Sequence, residues 1–265
     1  MRYTTAAYDP LAGIYDAWIA SAGPELNAIR DFYAARYLAA AGPVVELGVG
    51  NGRILIEAAL AGKHVIGVDE SSAMLELCRR HAAAAGVQDR VHLQRAGFSN
   101  FHLARPADLI AVPYDSIGHL LTAAERGHFV KHAFEQLAPG GKLILDQALH
   151  DPEAARPLEG QPHFRTSYFD ESTGEETLLW FTPHQDVARR RRSAVIYSTG
   201  AGGLGPARVL GTVENSWFRD ATEVQDLLTG GGFQIEDTFG DFAGGPLRSD
   251  SEYQIWIASR PGPRQ

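Results

Sequence analysis

Short apolar runs alternate with longer stretches of helical period along much of the chain. The first periodic stretch is 24–41, where Leu26, Ile29, Phe32/Tyr33, Arg36/Tyr37 and Ala40 recur at helical spacing. Gly42-Pro43 ends it. A strict rhythm follows. Val44–Leu47 is a short apolar run before glycines, and 53–61 reads as a helix closed by Gly62. Residues 64–68 form a second run ending in Asp69. Ser71 caps the next helix, which turns Met74, Leu75 and Leu77 inward. Third and fourth runs lie at 91–93 and 107–112. Residues 122–137 are helical, with Phe129, Ala133, Phe134 and Leu137 on one side. Pro139-Gly140-Gly141 predicts a turn before a fifth run, 142–145.

Apolar strands alternating with helices predict an α/β fold: a parallel sheet with helices on both faces and right-handed crossovers. Such sheets bind ligands beyond the carboxyl ends of their strands, so function is sought in the loops after each run. The rhythm changes between 151 and 219, which reads as antiparallel strands with turns at 170–174 and 200–206. Helical and strand signals return at 222–228, 233–236 and 253–258. Four segments result: an N-terminal helical arm (1–41), a core (42–150), an antiparallel β insertion after strand five (151–219), and a C-terminal completion of the core (220–265). The tail PGPRQ is expected to fray.

The 265 residues are 45% hydrophobic and 21% charged, the proportions of a globular protein with a real core. A net charge of −8 is a poor match for nucleic acid. No apolar run approaches the roughly 18 residues of a membrane span, and Asp9 and Asp16 interrupt the opening stretch as no signal peptide would. A single cysteine, Cys78, excludes an internal disulfide and a cysteine-built zinc site. The expectation is a cytoplasmic protein acting on a small molecule, with no metal. The N-terminal helix and the hairpins offer surface for a homodimer.

The strongest local signal is Glu46-Leu47-Gly48-Val49-Gly50-Asn51-Gly52-Arg53, between the first strand and the first core helix. Glycines here allow a tight turn and bring backbone N–H groups against a ligand. The spacing is G-x-G-x-G; Arg53 stands where the third glycine of a dinucleotide fingerprint belongs, and no Walker lysine follows. Asp69 closes the second strand, placed to accept from both hydroxyls of a ribose.

This combination resembles the class I S-adenosylmethionine-dependent methyltransferases over 42–150 and, more weakly, 220–259. The phrase LAPGGKLILD at 137–146 is similar to that family's fifth strand and its approach. YDPLAGIYD in the arm and PYDSIGHL at 113–120 resemble the small-molecule branch, which includes glycine N-methyltransferase and the amino-sugar N-methyltransferases of antibiotic pathways. The resemblance implies a Rossmann-like sheet, S-adenosylmethionine as cofactor with S-adenosylhomocysteine as product, and methylation of a small-molecule metabolite. The acceptor atom would be N or O of a natural-product-type molecule. Two other readings keep the fold: binding of S-adenosylmethionine while catalysing a cyclisation or rearrangement, and a non-catalytic S-adenosylmethionine-binding partner.

The same resemblance implies residue roles. Gly48, Gly50 and Gly52 let the backbone approach the methionine part of the cofactor. Glu46 orients that loop and receives the ammonium through water. Asp69 holds the ribose, Glu70 and Met74 lie on the nucleoside side, and Pro113 and Tyr15 complete the pocket. The family has an aspartate in the loop after strand three where this chain has Gly97. Ser99 or Asn100 would replace it, with Phe98 against the adenine ring.

Methyl transfer from a sulfonium asks the protein to position a nucleophile and exclude water. A histidine suits the removal of the acceptor's proton near pH 7. His119 is the leading general base, with Tyr114 lining the methyl pocket. Tyr8, Tyr15 and Trp18 read either as an aromatic lid or as an amphipathic edge. His184, Trp217 and Arg219 are candidates to face the acceptor, against readings as strand surface and core. The run 189–192 reads as a solvated arginine hairpin rather than an anion site, His128/His132 as a solvent-facing pair rather than a metal site, and Cys78 as a small core residue.

Overall fold

The computed structural model describes residues 6–23, 25–170, 173–201 and 206–262. Pro24, parts of both predicted hairpin turns and the last three residues of the tail lie outside the described residues. Two short helices, α1 (Tyr15–Ala20) and α2 (Glu25–Ala39), precede the alternating core. The core then runs β1 (Val44–Leu47), α3 (Leu55–Leu60), β2 (Val65–Asp69), α4 (Ser72–Ala84), β3 (Val91–Arg95), β4 (Ala107–Val112), α5 (Ala123–Gln136) and β5 (Leu137–Ala148). A short helix, α6 (Pro152–Ala155), leads into the insertion: β6 (His163–Asp170), β7 (Glu175–Asp186), β8 (Arg191–Gly200) and β9 (Arg208–Ser216). The chain closes with α7 (Ala221–Gly230), β10 (Gln234–Phe239) and β11 (Tyr253–Ser259).

The seven-stranded sheet has the order β10-β11-β5-β4-β1-β2-β3. Strands β1 to β5 are parallel, while β11 runs antiparallel to both neighbours. It does so because a loop, not a helix, returns the chain from β10. The predicted Pro-Gly-Gly turn lies inside β5: Ala107 pairs Leu137 and Leu109 pairs Lys142, so the motif is a bulge bearing Gly140 at φ +80°. The insertion is a separate four-stranded antiparallel sheet in the order β6-β7-β8-β9.

Strand burial explains the apolar runs. All four residues of β1 are buried, as a parallel strand covered on both faces must be. Two apolar clusters flank the sheet, one led by Tyr33, Tyr37, Leu55 and Cys78, the other by Phe101, Phe129, Leu137 and Trp256. A third, small cluster joins Leu11 and Ile14 of the arm to Leu179 and Ile196 of the insertion. Strand order reverses between β1 and β4. This switch point opens a crevice at their carboxyl ends, where the loops 48–52 and 113–119 emerge.

Helix caps follow the sequence. The Ser71 hydroxyl accepts from Met74 N at 3.1 Å, and Thr122 and Glu125 form a capping box on α5. Cys78 is buried as expected. The His128/His132 pair is not wholly solvent-facing: His132 bonds the Phe101 carbonyl at 2.8 Å and lies edge-on to its ring, 4.7 Å between centroids. Among the described residues, no helix is long and apolar enough to cross a membrane, and no group of three or more His, Cys, Asp or Glu is placed to hold a metal ion.

Candidate active site

The glycine loop has the backbone its sequence requires. Gly48, Gly50 and Gly52 have φ of +69°, +54° and +81°, conformations that side chains with a Cβ resist. A Cβ at Gly48 would sit 3.0 Å from Ser116 Oγ and 3.5 Å from Phe98 Cζ. One at Gly50 would sit 3.4 Å from Met74 Cε and 3.7 Å from the Tyr15 hydroxyl. These two glycines therefore face a cradle walled by the loops after β3 and β4, by α4 and by the arm. Gly52 differs: its Cβ would strike Cys78 Sγ, so its task is packing α4 against the loop.

Asp69 ends β2 under this loop. Oδ2 accepts from Gly50 N and Oδ1 from Ser71 N, both at 2.9 Å. Each oxygen keeps a further lone pair for a hydroxyl donor. Burial pushes the carboxyl above its usual range, and the two backbone bonds oppose that shift. Glu46 is more perturbed. It is 2% exposed, accepts from the Tyr37 hydroxyl at 2.9 Å, and is pushed by burial up to about 8. Met74 is buried beside the loop and Glu70 is exposed at its edge. The space a side chain at position 97 would need is filled by the Glu70 carboxylate. Asn100 Oδ1 is spent on Gly97 N at 2.7 Å. Phe98 packs 5.8 Å from Phe129.

The loop after β4 holds two successive non-glycine residues in the left-handed region, Tyr114 at φ 68° and Asp115 at φ 57°. Each costs about 1–3 kcal/mol unless its surroundings compel it. Asp146 at the end of β5 compels both. Its Oδ1 accepts from Tyr114 N at 2.9 Å and its Oδ2 from Asp115 N at 3.0 Å, while the Tyr33 hydroxyl donates to Oδ1 at 2.6 Å. Burial pushes Asp146 up to about 6, against these three bonds. The Tyr114 ring lies under the Arg53 guanidinium, 4.2 Å from its centroid. Arg53 Nη2 and the Tyr114 hydroxyl are buried without a well-formed hydrogen bond among the described residues. Asp115 is pushed up to about 7 by burial, with Arg192 opposing.

His119 ends the same loop. Its Nδ1 lies 3.2 Å from the Glu214 carbonyl, with the Asn215 side chain at 3.4 Å. A carbonyl only accepts, so Nδ1 carries the proton and Nε2 offers a lone pair. The Tyr8 hydroxyl sits 3.3 Å from Nε2. Burial lowers the His119 pKa, so the ring is neutral near pH 7. Burial raises the Tyr8 phenol, assisted by Tyr15 and Asp69.

The arm is fastened over the glycine loop at several points. Asp9 accepts from Ser71 Oγ at 2.5 Å and from Ala73 N at 3.2 Å. Asp16 accepts from Asn51 Nδ2 and meets His81 Nε2, both at 2.9 Å. His81 Nδ1 faces the Asn51 carbonyl at 3.0 Å, so both ring nitrogens point at acceptors. Tyr8 and Tyr15 pack edge to face, 6.0 Å between centroids. The arm is thus packed over the loop.

Other predicted residues fall farther out. Trp18 packs on Phe181 of the insertion and under Arg165. Trp217 is buried against His150, 4.4 Å between ring centroids. His184 is exposed at the rim of a cavity of about 200 Å3 beneath the insertion, which His150 also lines. Arg219 is drawn to Asp220, Nε to Oδ2 at 2.8 Å, and its backbone N–H to Glu223. Pro113 is buried at the start of the β4 loop.

Sequence reasoning missed Asp115, Asp146, Arg192, Asp16 and His81. A lone aspartate at the end of the apolar run LILD was a usable signal, because a buried carboxylate needs partners. The other four depend on pairings between distant segments.

Residues 44–141 match the family model described as a methyltransferase domain. An uncharacterized methyltransferase of Oceanobacillus iheyensis is 31% identical over 114 residues, 43% of this chain and 50% of that protein. The chain spans about half the length of the curated relatives it matches. The solved CcbJ methyltransferase from Streptomyces caelestis superposes with TM-score 0.80 at 23% identity, covering 97% of this chain and 99% of that one. CalS10 from Micromonospora echinaspora, a SAM-bound amino pentose methyltransferase involved in calicheamicin biosynthesis, superposes with TM-score 0.66 at 21% identity, covering 93% and 96%. The chain has the Rossmann-like class I methyltransferase fold with an added antiparallel sheet.

Proposed function

We propose that the protein is an S-adenosylmethionine-dependent methyltransferase acting at N or O of a small natural-product-type acceptor. The observation that carries this reading is the cradle at the switch point. Gly48 and Gly50 leave room beside Asp69, and two buried polar atoms, Arg53 Nη2 and the Tyr114 hydroxyl, have no well-formed hydrogen bond among the described residues beyond their approach to each other. That donor set fits the cofactor. Asp69 would accept from the ribose hydroxyls, and Arg53 and Tyr114 would take the amino-acid end. Phe98 and Met74 would flank the nucleoside. Glu70, whose carboxylate fills the space beside Gly97, would take the place of the family's acidic residue. Glu46 would hold the loop through Tyr37.

When bound, the cofactor supplies an electrophilic methyl group whose C–S bond breaks with its electron pair left on a neutral sulfur. The chain's own work is positioning and proton transfer. The Tyr8 oxygen takes the acceptor's proton while its own O–H proton passes to His119 Nε2. The Glu214 carbonyl holds the imidazole in the accepting tautomer. The raised phenol makes a free tyrosinate unfavourable, so the transfer is concerted through the pair. The arm, latched by Asp9 and Asp16, excludes water.

The test is turnover of S-adenosylmethionine to S-adenosylhomocysteine across a panel of small amines and alcohols. Release that depends on an acceptor supports methyl transfer. A product formed with S-adenosylmethionine unconsumed would support a rearrangement on the same fold. The names of the structural neighbours support an acceptor from natural-product sugar chemistry. The packed arm and hairpins would also allow a homodimer, which light scattering would read.

A further inference from the structure

Three of the four consecutive arginines have other carboxylate partners. Arg189 pairs with Asp186 at 2.7 Å, Arg190 with Glu223 at 3.2 Å and Arg191 with Glu214 at 3.4 Å. Arg192 is placed differently. It stands on β8 opposite Gln185 and Asn215, in the face that closes the cavity of about 200 Å3. The cavity wall is largely apolar, from Phe181, Pro183, Ala194 and Val213. The Arg192 guanidinium reaches Asp115 Oδ2 on the loop after β4. Ser116, the next residue, faces Gly48 of the glycine loop, its Oγ 3.0 Å from where a Cβ there would sit. The ion pair therefore spans from the cavity to the cradle. The other Asp115 oxygen, Oδ1, is buried, and among the described residues its approach is from the Gln147 side chain.

We propose that Arg192 and Asp115 are the specificity element of the acceptor site, selecting an uncharged group with adjacent hydrogen-bonding substituents and excluding carboxylates and phosphates. The proposal rests on the methyl-transfer reading above. Its argument is electrostatic. Above about pH 7 the Asp115 carboxylate compensates the Arg192 charge, so an incoming anion must displace Asp115 or stand beside it, and an incoming cation meets Arg192. A hydroxyl meets neither obstacle. Its oxygen accepts from one guanidinium N–H that Asp115 leaves uncommitted, and a neighbouring hydroxyl or neutral amine accepts from a second. The strained turn held by Asp146 fixes the Asp115 carboxylate against Arg192. The cavity volume, about 200 Å3, is below the ~300–1,000 Å3 of drug-sized sites and suits a single ring-sized group.

The test loads the protein with S-adenosylhomocysteine and titrates it, by ligand-observed NMR, with cis-cyclohexane-1,2-diol and with cyclohexanecarboxylate. The wild type is expected to bind the diol at least about fivefold more tightly than the carboxylate. Asp115→Asn leaves Arg192 uncompensated and should reverse that order. Arg192→Gln should weaken the diol at least about fivefold without gaining the carboxylate. Both variants should keep their affinity for S-adenosylhomocysteine within about twofold, which also shows that they are folded. If Asp115→Asn does not fold, the wild-type order and Arg192→Gln decide. A wild type that prefers the carboxylate, or binds neither probe, overturns the proposal. So does a folded Asp115→Asn with the order unchanged. Failure of the wild type to bind S-adenosylhomocysteine instead overturns the methyl-transfer reading, and the diol-against-carboxylate order of the unloaded protein still judges the pair.

Discussion

Around one opening, the glycine-loop side rests on strands buried along their length, whereas the insertion side rests on a sheet that buries little. Every residue of β1 is buried, but of β8 only Ile196 and Ser198 are. The insertion packs on the arm through a small apolar cluster and reaches the core through specific polar links. Ser216 Oγ bonds the Leu120 carbonyl at 2.7 Å and receives Arg126 Nη2 at 2.6 Å. Gln147 ties the Ser216 carbonyl and Phe218 N, and Arg192 meets Asp115. The difference teaches how such a fold divides its labour. A core buried on both faces fixes one ligand to a set geometry. A half-exposed sheet held by polar contacts can change its lining without disturbing that core, which is where specificity is best varied.

The comparison can be broken first at the shared boundary. His119→Ala should lower kcat about 100- to 1,000-fold, while calorimetric affinity for S-adenosylhomocysteine stays the same. Loss of both together would place His119 in the cofactor half. Next, Asp146→Asn replaces one of the two oxygens that accept three buried donors with an NH2 group, so at least one donor under the β4 loop loses its partner. Urea unfolding should show about 2–4 kcal/mol of destabilisation, well above the ~0.5 kcal/mol typical of surface changes such as Arg189→Ala on the insertion.

A third prediction concerns pH. Glu46 ionises near 4.5 in the unfolded chain and at about 8 in the fold. The fold therefore binds the extra proton, and this group's stability is full below pH 4.5 and lost as pH rises through 8. Wild-type melting temperature should fall across that window by an amount on the order of 5 °C more than in Glu46→Gln. Parallel profiles would mean that the buried carboxyl is not the cause. The smallest effect is expected at the arm. Asp16→Ala removes the bonds to Asn51 and His81 and should speed S-adenosylhomocysteine release only about two- to fivefold, read by stopped-flow.

The alternating core, the switch-point loops and the insertion were legible in the sequence because each rests on local pattern. Four-residue apolar runs bounded by glycine or proline mark buried parallel strands, and the glycines at 48 and 50 mark positive φ. The Pro-Gly-Gly bulge was misread as a turn because glycine permits both and only the register with β4 decides. The acceptor side was less legible. Arg192 is one of four identical neighbours, and only its pairing with a loop 77 residues away sets it apart from the other three, which pair with Asp186, Glu223 and Glu214. The strain at Tyr114 and Asp115 leaves no mark in composition, because Asp146 imposes it across the sheet. Arg219 carried a plausible charge and position, yet Asp220 beside it takes the guanidinium.

The measurement that bears most directly on the central claim is calorimetric titration of the purified protein with S-adenosylmethionine and S-adenosylhomocysteine, beside Asp69→Ala. The account predicts that the wild type binds both at about micromolar affinity, and that the variant loses about 100-fold or more because two ribose bonds and the Gly50 anchor go together. Folded, ligand-free wild-type protein that binds neither molecule, or an Asp69→Ala variant that binds them as well as the wild type, would contradict it.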